Sequence, residues 1–244
     1  MTVRGSIRAV VFDMDGVLID SHPMHRAAWR EFLQSMHIDA SDRELEFILE
    51  GRTRNEILRH FLGELPDDEL QLHGRRKDEI FRAMEYEIQP VAGALEFLAK
   101  LEEAGIAGAV ATSASEIRTF ATLERMGLGG YFDAVITSAD VTAGKPDPMV
   151  YQFACERIGV AGEDALAFDD AHAGVQAARS AGMRCIGVAS NGLSATLLEA
   201  GAEAIIPDFR GLEVPWLESL VCGTAEASAR TAKDSLASRL TKSA

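Results

Sequence analysis

At about 150 residues per domain, the 244 residues of the chain make one domain with an insertion, or two small domains. Its 47% hydrophobic and 25% charged residues exclude a disordered or fibrous protein. A net charge of −14, from 24 basic and 38 acidic side chains, argues against nucleic acid or an anionic membrane as the main partner, and an anionic substrate needs local cations to overcome that field.

Residues 7–12 form the first short apolar run, rich in β-branched side chains. Similar runs recur at 106–111, 133–137, 164–168, 184–188 and 203–206, each bounded by Gly, Asp, Ser or Thr, and read as buried parallel strands. Amphipathic stretches lie between most of them: 91–104 (Leu95, Leu98, Leu101), 116–127 (Ile117, Phe120, Leu123, Met126), 146–158 and 173–182. This alternation predicts an α/β fold with a doubly wound, Rossmann-like parallel sheet. The rhythm breaks once, where about 95 residues separate the first strand from the second, far more than a crossover helix needs. Residues 22–86 read as helices, with Pro23 opening one that runs through Met24, Ala28 and Phe32. The expected organisation is therefore a core of residues 1–21 and 87–222, a small inserted helical domain at 22–86, and a frayed or disordered tail at 223–244.

No apolar run is long enough to span a bilayer, and Met1 to Arg8 lacks the apolar centre of a signal peptide, so a cytosolic protein without a membrane partner is expected. Cys155, Cys185 and Cys222 are far apart and lack metal-ligand spacing; they read as buried thiols.

Four polar clusters fall at the carboxyl ends of predicted strands, where ligands bind in open α/β sheets. In VVFDMDGVLID, residues 10–20, an apolar strand runs into Asp13 and Asp15, which face the same way if the strand persists, and Gly16 permits a tight turn. An aspartate is a competent nucleophile towards phosphorus, and a second carboxylate can serve as general acid and base. An Asp-rich turn has the same spacing. Thr112 and Ser113 precede a helix starting at Glu116, an arrangement that suits either a phosphate or an ordinary helix cap. Lys145 stands before Pro146 in AGKPDP, where it neutralises phosphoryl oxygens or is simply solvated. Asp169 and Asp170 close the fourth strand; with Asp13 and Asp15 they make an all-oxygen set suited to Mg²⁺, with helix capping as the competing role.

In this order the four clusters resemble the four motifs of the haloacid dehalogenase superfamily, over residues 7–210 or so, and the insertion is similar to that superfamily's small helical cap. The resemblance implies that Asp13 is the nucleophile and Asp15 the general acid/base. It implies phosphate binding by Thr112 and Lys145, and a Mg²⁺ site at Asp170 with Asp169 beside it. The presence of Asp15 points to the phosphoryl-transfer branches. Within them DSHPMHRAAW, residues 20–29, is similar to the cap entry of β-phosphoglucomutase and related sugar phosphatases, which places His25 and Trp29 near substrate. GRTR, residues 51–54, is similar to the mutase's GxSR loop, which assigns Gly51, Thr53 and Arg54 to the substrate's distal group. Thr53 and Glu56 independently read as a capping box that puts Arg54 on a helix's first turn. Glu50 replaces the lysine usual before that loop, and Ala171 the serine usual after the acidic pair. His22, His37, His60, His73 and His172 read as surface or turn residues, His172 being the one nearest the motifs.

The reading is a Mg²⁺-dependent phosphatase of small phosphorylated metabolites, sugar phosphates foremost, acting as a monomer and binding no nucleic acid. β-Phosphoglucomutase is the close alternative, and a phosphometabolite-binding protein without turnover the remote one.

Overall fold

The computed structural model describes residues 7–49, 53–189 and 194–222. Its centre is a parallel sheet of β1 (Ala9–Phe12), β2 (Ala107–Ala111), β3 (Ala134–Ile136), β4 (Ala165–Asp169), β5 (Arg184–Val188) and β6 (Ala204–Ile206), in the order β3-β2-β1-β4-β5-β6. Every predicted strand forms. The order reverses between β1 and β4, whose register sets Phe12 opposite Phe168, so the ligand-binding crevice of the fold opens at the carboxyl ends of these two strands.

Side-chain alternation gives the two faces different characters. Ala9, Val11, Ala109, Ala111, Ala165 and Ala167 make one face of small residues, against which α7 (Met149–Ile158) and α8 (His172–Ser180) pack closely. Val10, Phe12, Val110, Leu166 and Phe168 make the other. There Phe12 stacks on Phe168 with centroids 5.3 Å apart, and Phe97 of α5 (Ala94–Glu103) and Phe209 close around them. Each such aromatic pair adds about 0.5–1.5 kcal/mol to the area it buries.

Between β1 and α5 lie α1 (His22–Ser35), α2 (Asp42–Glu46), α3 (Arg54–Leu62) and α4 (Asp67–Met84). They enclose an apolar cluster of their own around Trp29, Phe32, Leu33, Leu45, Leu58 and Leu70. At their base, Ala28 and Phe81 join the main core instead. The outgoing and returning chains are zipped together, with Asp20 N donating to Gln89 O and Val91 N to Leu18 O, both at 2.9 Å. A 3₁₀ turn, Glu85–Glu87, precedes that return.

Two helical faces differ from the sequence reading. On α6 (Glu116–Arg125) Ile117 is 86% exposed and Phe120 half exposed, while Thr119, Thr122 and Leu123 are buried. Thr119 is admissible inside because its hydroxyl donates to Ser115 O at 2.9 Å, leaving only its methyl to pack. On α5 the buried face runs through Ala94, Phe97, Leu98 and Leu101, and Leu95 is turned outward. Helices α9 (Ser194–Glu199) and α10 (Val214–Cys222) were not anticipated. Cys155 and Cys185 are buried free thiols, as read. The tail from residue 223 lies outside the described residues.

Candidate active site

Asp13 follows β1 directly, and its N–H extends the ladder to Phe168 O at 2.9 Å. The strand therefore delivers its carboxylate to the crevice. There Asp13 Oδ1 accepts from Lys145 Nζ at 2.8 Å, and the same ammonium donates to Asp169 Oδ2 at 2.8 Å. Burial opposes the lysine's charge, but the carboxylates of Asp13 and Asp169 outweigh it and hold Lys145 protonated above its ordinary range. Burial pushes Asp13 up to about 8 against the pull of Lys145, with Asp169, Asp170 and Asp15 adding like-charge repulsion.

The carboxylate of Asp169 is turned to Lys145. Its Oδ2 takes the Lys145 ammonium and the Tyr151 hydroxyl, the latter at 2.5 Å, and its Oδ1 accepts from Ala171 N at 2.9 Å. Both oxygens are occupied, so its place is behind Lys145. Gly174 makes this possible, since a Cβ there would lie 2.0 Å from Asp169 Oδ2; α8 must approach without a side chain.

Asp170 instead borders the turn after β1. At Gly16, where φ is +75°, an added Cβ would come 2.2 Å from Asp170 Oδ2, so glycine is required both by the backbone and by the space. Asp170 also binds His22, whose Nε2 lies 2.9 Å from Oδ2. Burial works against protonation of His22, but the hydrogen bond and charge of Asp170 raise it above the ordinary imidazole value. His22 was read as a surface residue; α1 in fact brings it into the crevice. His22, Gly16 and Asp170 line, with Asp20, Pro90 and Asp208, a cavity of about 300 Å³.

Asp15 is held from three sides. Ser21 Oγ donates to Oδ1 at 2.5 Å, Arg118 Nη1 donates to Oδ2 at 2.8 Å and its Nη2 to Oδ1, and His25 Nε2 lies 3.5 Å from Oδ1. Burial alone would raise this carboxyl, but Arg118 and His25 keep it well below the usual carboxylate range. His25 stacks on Phe81 at 4.2 Å, and its Nδ1 faces Lys77 Nζ at 3.4 Å. Burial and the Lys77 charge lower His25 to about 3, so it is neutral. Lys77 is itself buried, over the rings of Phe81 and Trp29, and burial lowers it to about 8.

Thr112 and Ser113 follow β2 and precede α6, as read. Thr112 is buried and its Oγ1 accepts from Ala114 N at 3.1 Å, while Ser113 is exposed. Trp29 does not line the crevice: it is 2% exposed, edge-on to Phe32 in the cluster of the insertion, because an indole that large is held by α1 against α4. Thr53 and Glu56 form the predicted capping box at the start of α3. Arg54 occupies its first turn, but its guanidinium lies across Gly74 of α4 and pairs with Asp78 Oδ2 at 2.5 Å. The start of α3 nevertheless adjoins the Lys145 loop, for a Cβ on Gly144 would sit 3.7 Å from Thr53 Cγ2. Gly51 lies outside the described residues.

Arg118, Lys77, Tyr151 and Ser21 were missed. Arg118 and Lys77 are ordinary helix cations in sequence, and only the 103-residue separation closed by the fold brings Arg118 to Asp15. Tyr151 had a weak signal: it follows the KPDP turn by three residues, most of a helical turn.

Comparison with known proteins gives a consistent picture. The haloacid dehalogenase-like hydrolase family profile matches residues 7–182. A phosphorylated carbohydrates phosphatase of Thermotoga maritima is 33% identical over 82% of this chain and 94% of its own length. The β-phosphoglucomutase of Bacillus subtilis is 29% identical over 75% of this chain and 83% of its own. In structure, a family IA HAD hydrolase from Entamoeba histolytica superposes with a TM-score of 0.80 at 26% identity, covering 88% of this chain and 99% of that one.

Proposed function

The chain belongs to the haloacid dehalogenase-like hydrolases, and from that membership we propose that it hydrolyses small phosphorylated metabolites, sugar phosphates foremost, through an aspartyl phosphate on Asp13 with Mg²⁺ as cofactor. It is a phosphoryl-transfer enzyme, as its phosphatase and phosphoglucomutase relatives are. The observation that carries the finer reading is the buried Asp13–Lys145 pair, 2.8 Å across, at the switch point of the sheet.

Lys145 occupies Oδ1 of Asp13, so Oδ2 is the oxygen that attacks phosphorus. The ester oxygen departs with a proton from Asp15, which takes that proton from solvent once it leaves the Arg118 fork, and the phosphoryl group stays on Asp13. Asp15 then takes a proton from a water, whose oxygen attacks the same phosphorus and restores the Asp13 carboxylate. Lys145 neutralises charge on the phosphoryl oxygens in both steps, and Asp169 with Tyr151 keeps the ammonium aimed. Thr112, Ser113 and the uncapped start of α6 are the remaining donors for the phosphoryl group.

The donor set fits a divalent ion. Asp13 and Asp170 are hard oxygen donors just beyond the carboxyl ends of β1 and β4. Asp169 and the Asp15 carboxylate are engaged elsewhere. Among the described residues no group of three or more His, Cys, Asp or Glu side chains is placed to hold an ion, so the expected four-carboxylate set is not assembled, and Asp13 and Asp170 with waters and the substrate's phosphate would be the donors. Bound by Asp13 and Asp170, the ion would supply charge neutralisation to the phosphoryl oxygens. The helical insertion is read as a lid over the strand ends that excludes water.

The Bacillus relative keeps the mutase as the second reading, in which a sugar hydroxyl replaces the second-step water. A panel of phosphorylated sugars, assayed for released phosphate with and without Mg²⁺, tests the proposal. The panel includes β-glucose 1-phosphate with a trace of glucose 1,6-bisphosphate. Phosphate release without isomerised sugar upholds the phosphatase; glucose 6-phosphate appearing faster than phosphate establishes the mutase instead.

A further inference from the structure

Arg118 belongs to the core helix α6, yet its guanidinium meets three elements at once. Nη1 and Nη2 form a fork on both oxygens of Asp15. The guanidinium lies over the ring of Phe81 in α4, 4.8 Å from its centroid. Its Nε faces Glu85 Oε1 at 3.7 Å, in the 3₁₀ turn through which the insertion returns to the core. Nε and Oε1 are both buried, and neither makes a hydrogen bond to a described residue. Seven residues on, Arg125 donates to the main-chain oxygen of Glu85. One helix of the core thus grips the return of the insertion at two points while its first turn grips Asp15.

We propose that Arg118 is a positioning residue that ties the posture of Asp15 to the posture of the helical insertion. A fork on both carboxylate oxygens fixes the plane of Asp15 as well as its charge, and so fixes where it points. A buried donor and a buried acceptor 3.7 Å apart favour the small movement that joins them. A shift of the Glu85 turn towards α6 completes Arg118–Glu85 and draws the guanidinium off Asp15, which then turns to the leaving-group oxygen. Phe81 moves with the same element, and it carries both the Arg118 guanidinium and the stacked His25 ring. The inference rests on the reading of Asp15 as general acid and base.

The test is steady-state kinetics of Arg118→Gln, Arg118→Lys, Glu85→Gln, Asp15→Asn and the double variant Arg118→Gln/Asp15→Asn. The substrates are the best sugar phosphate of the panel and p-nitrophenyl phosphate, which has a good leaving group. Arg118→Gln is expected to lower kcat on the sugar phosphate by about 10–10²-fold, a share of what general acid catalysis supplies, with KM nearly unchanged and a smaller loss on p-nitrophenyl phosphate. The double variant should be no slower than Asp15→Asn alone, and added guanidinium should restore part of the activity of Arg118→Gln. Glu85→Gln should lower kcat in the same direction as Arg118→Gln, again more on the sugar phosphate than on p-nitrophenyl phosphate. A raised KM at unchanged kcat would make Arg118 a phosphate ligand and overturn the proposal, as would losses that multiply in the double variant. If Arg118→Gln fails to fold, Arg118→Lys with the Glu85→Gln comparison decides in the same way. Failure of the underlying reading is seen separately, as full activity of Asp15→Asn on the sugar phosphate.

Discussion

Tyr151 donates its hydroxyl to Asp169 at 2.5 Å while its ring lies 4.9 Å from the ammonium of Lys145. The tyrosine therefore supports the lysine twice, through its π face and through the carboxylate that the lysine shares. Burial and the charge of Asp169 hold the phenol well above its ordinary range, so it remains a donor at every pH at which the protein works. Tyr151→Phe removes the donor and keeps the ring. A lost hydrogen bond to a charged, buried group is worth about 1.5–3 kcal/mol, and the urea midpoint should fall accordingly. An unchanged midpoint would mean that Lys145 alone suffices for Asp169.

Asp13→Asn should leave the fold intact and abolish turnover, because an amide of nearly the same volume forms no acyl phosphate. Retention of more than a few per cent of wild-type kcat on any phosphate ester would sink the nucleophile assignment. The far-ultraviolet circular dichroism spectrum serves as the control for folding.

His25, lowered from 6.5 to about 3 by burial and by Lys77, makes stability depend on pH. Below pH 6.5 the unfolded chain binds a proton that the folded one refuses, so stability present above that pH is lost as pH falls towards 3. The limiting slope is about 1.4 kcal/mol per pH unit. Urea unfolding at pH 7, 6 and 5 should show it, and His25→Gln should flatten the dependence over that range. Equal slopes in the two proteins would refute a neutral, buried His25.

The strands and the four motif positions were legible because each is a local signal: an apolar run ending in a polar residue at the mouth of the crevice. The capping box of Thr53 and Glu56 was legible for the same reason, its two members being three residues apart. Arg118, Lys77 and His22 were not legible, since each acquires its partner across a long stretch of chain: Arg118 from Asp15 within the core, Lys77 from His25 within the insertion, and His22 from Asp170 between the two. The misplaced face of α6 has a related cause. Ile117 and Phe120 look like the inner face by hydrophobicity, yet α6 is rotated so that Arg118 points to Asp15, and Thr119 is buried in their stead. Trp29 illustrates the converse: a residue matched to a family position near substrate proved to be a wall of the insertion's own core.

Excess chelator should abolish activity, and added Mg²⁺ should restore it. Asp170→Ala should raise the Mg²⁺ concentration needed for half-maximal rate, because one of two available carboxylates is gone. Ca²⁺ should substitute poorly, as its larger shell of 6–8 oxygens does not hold the phosphoryl group as a near-octahedral ion does. Full activity in chelator would exclude the metal.

Arg54 poses a sharper question than the sequence alone could frame, because the structure gives it a partner. Its ion pair with Asp78 is partly exposed, with both side chains near 40% accessible, so breaking it should change stability by less than about 1 kcal/mol. Arg54 stands on the first turn of α3, one residue beyond the Thr53 that adjoins the Lys145 loop. If it swings from Asp78 to the distal group of the substrate, Arg54→Ala should lower kcat/KM on a sugar phosphate by about 10²-fold, the loss of one charge-assisted hydrogen bond. The same variant should barely affect p-nitrophenyl phosphate, which has no distal group to hold. Asp78→Asn separates the two roles: releasing the guanidinium from its resting partner should leave kcat/KM equal or higher if Arg54 serves substrate. It should lower kcat/KM as Arg54→Ala does if the pair serves only to join α3 to α4. Equal kinetics of wild type and Arg54→Ala on every sugar phosphate would remove Arg54 from the site.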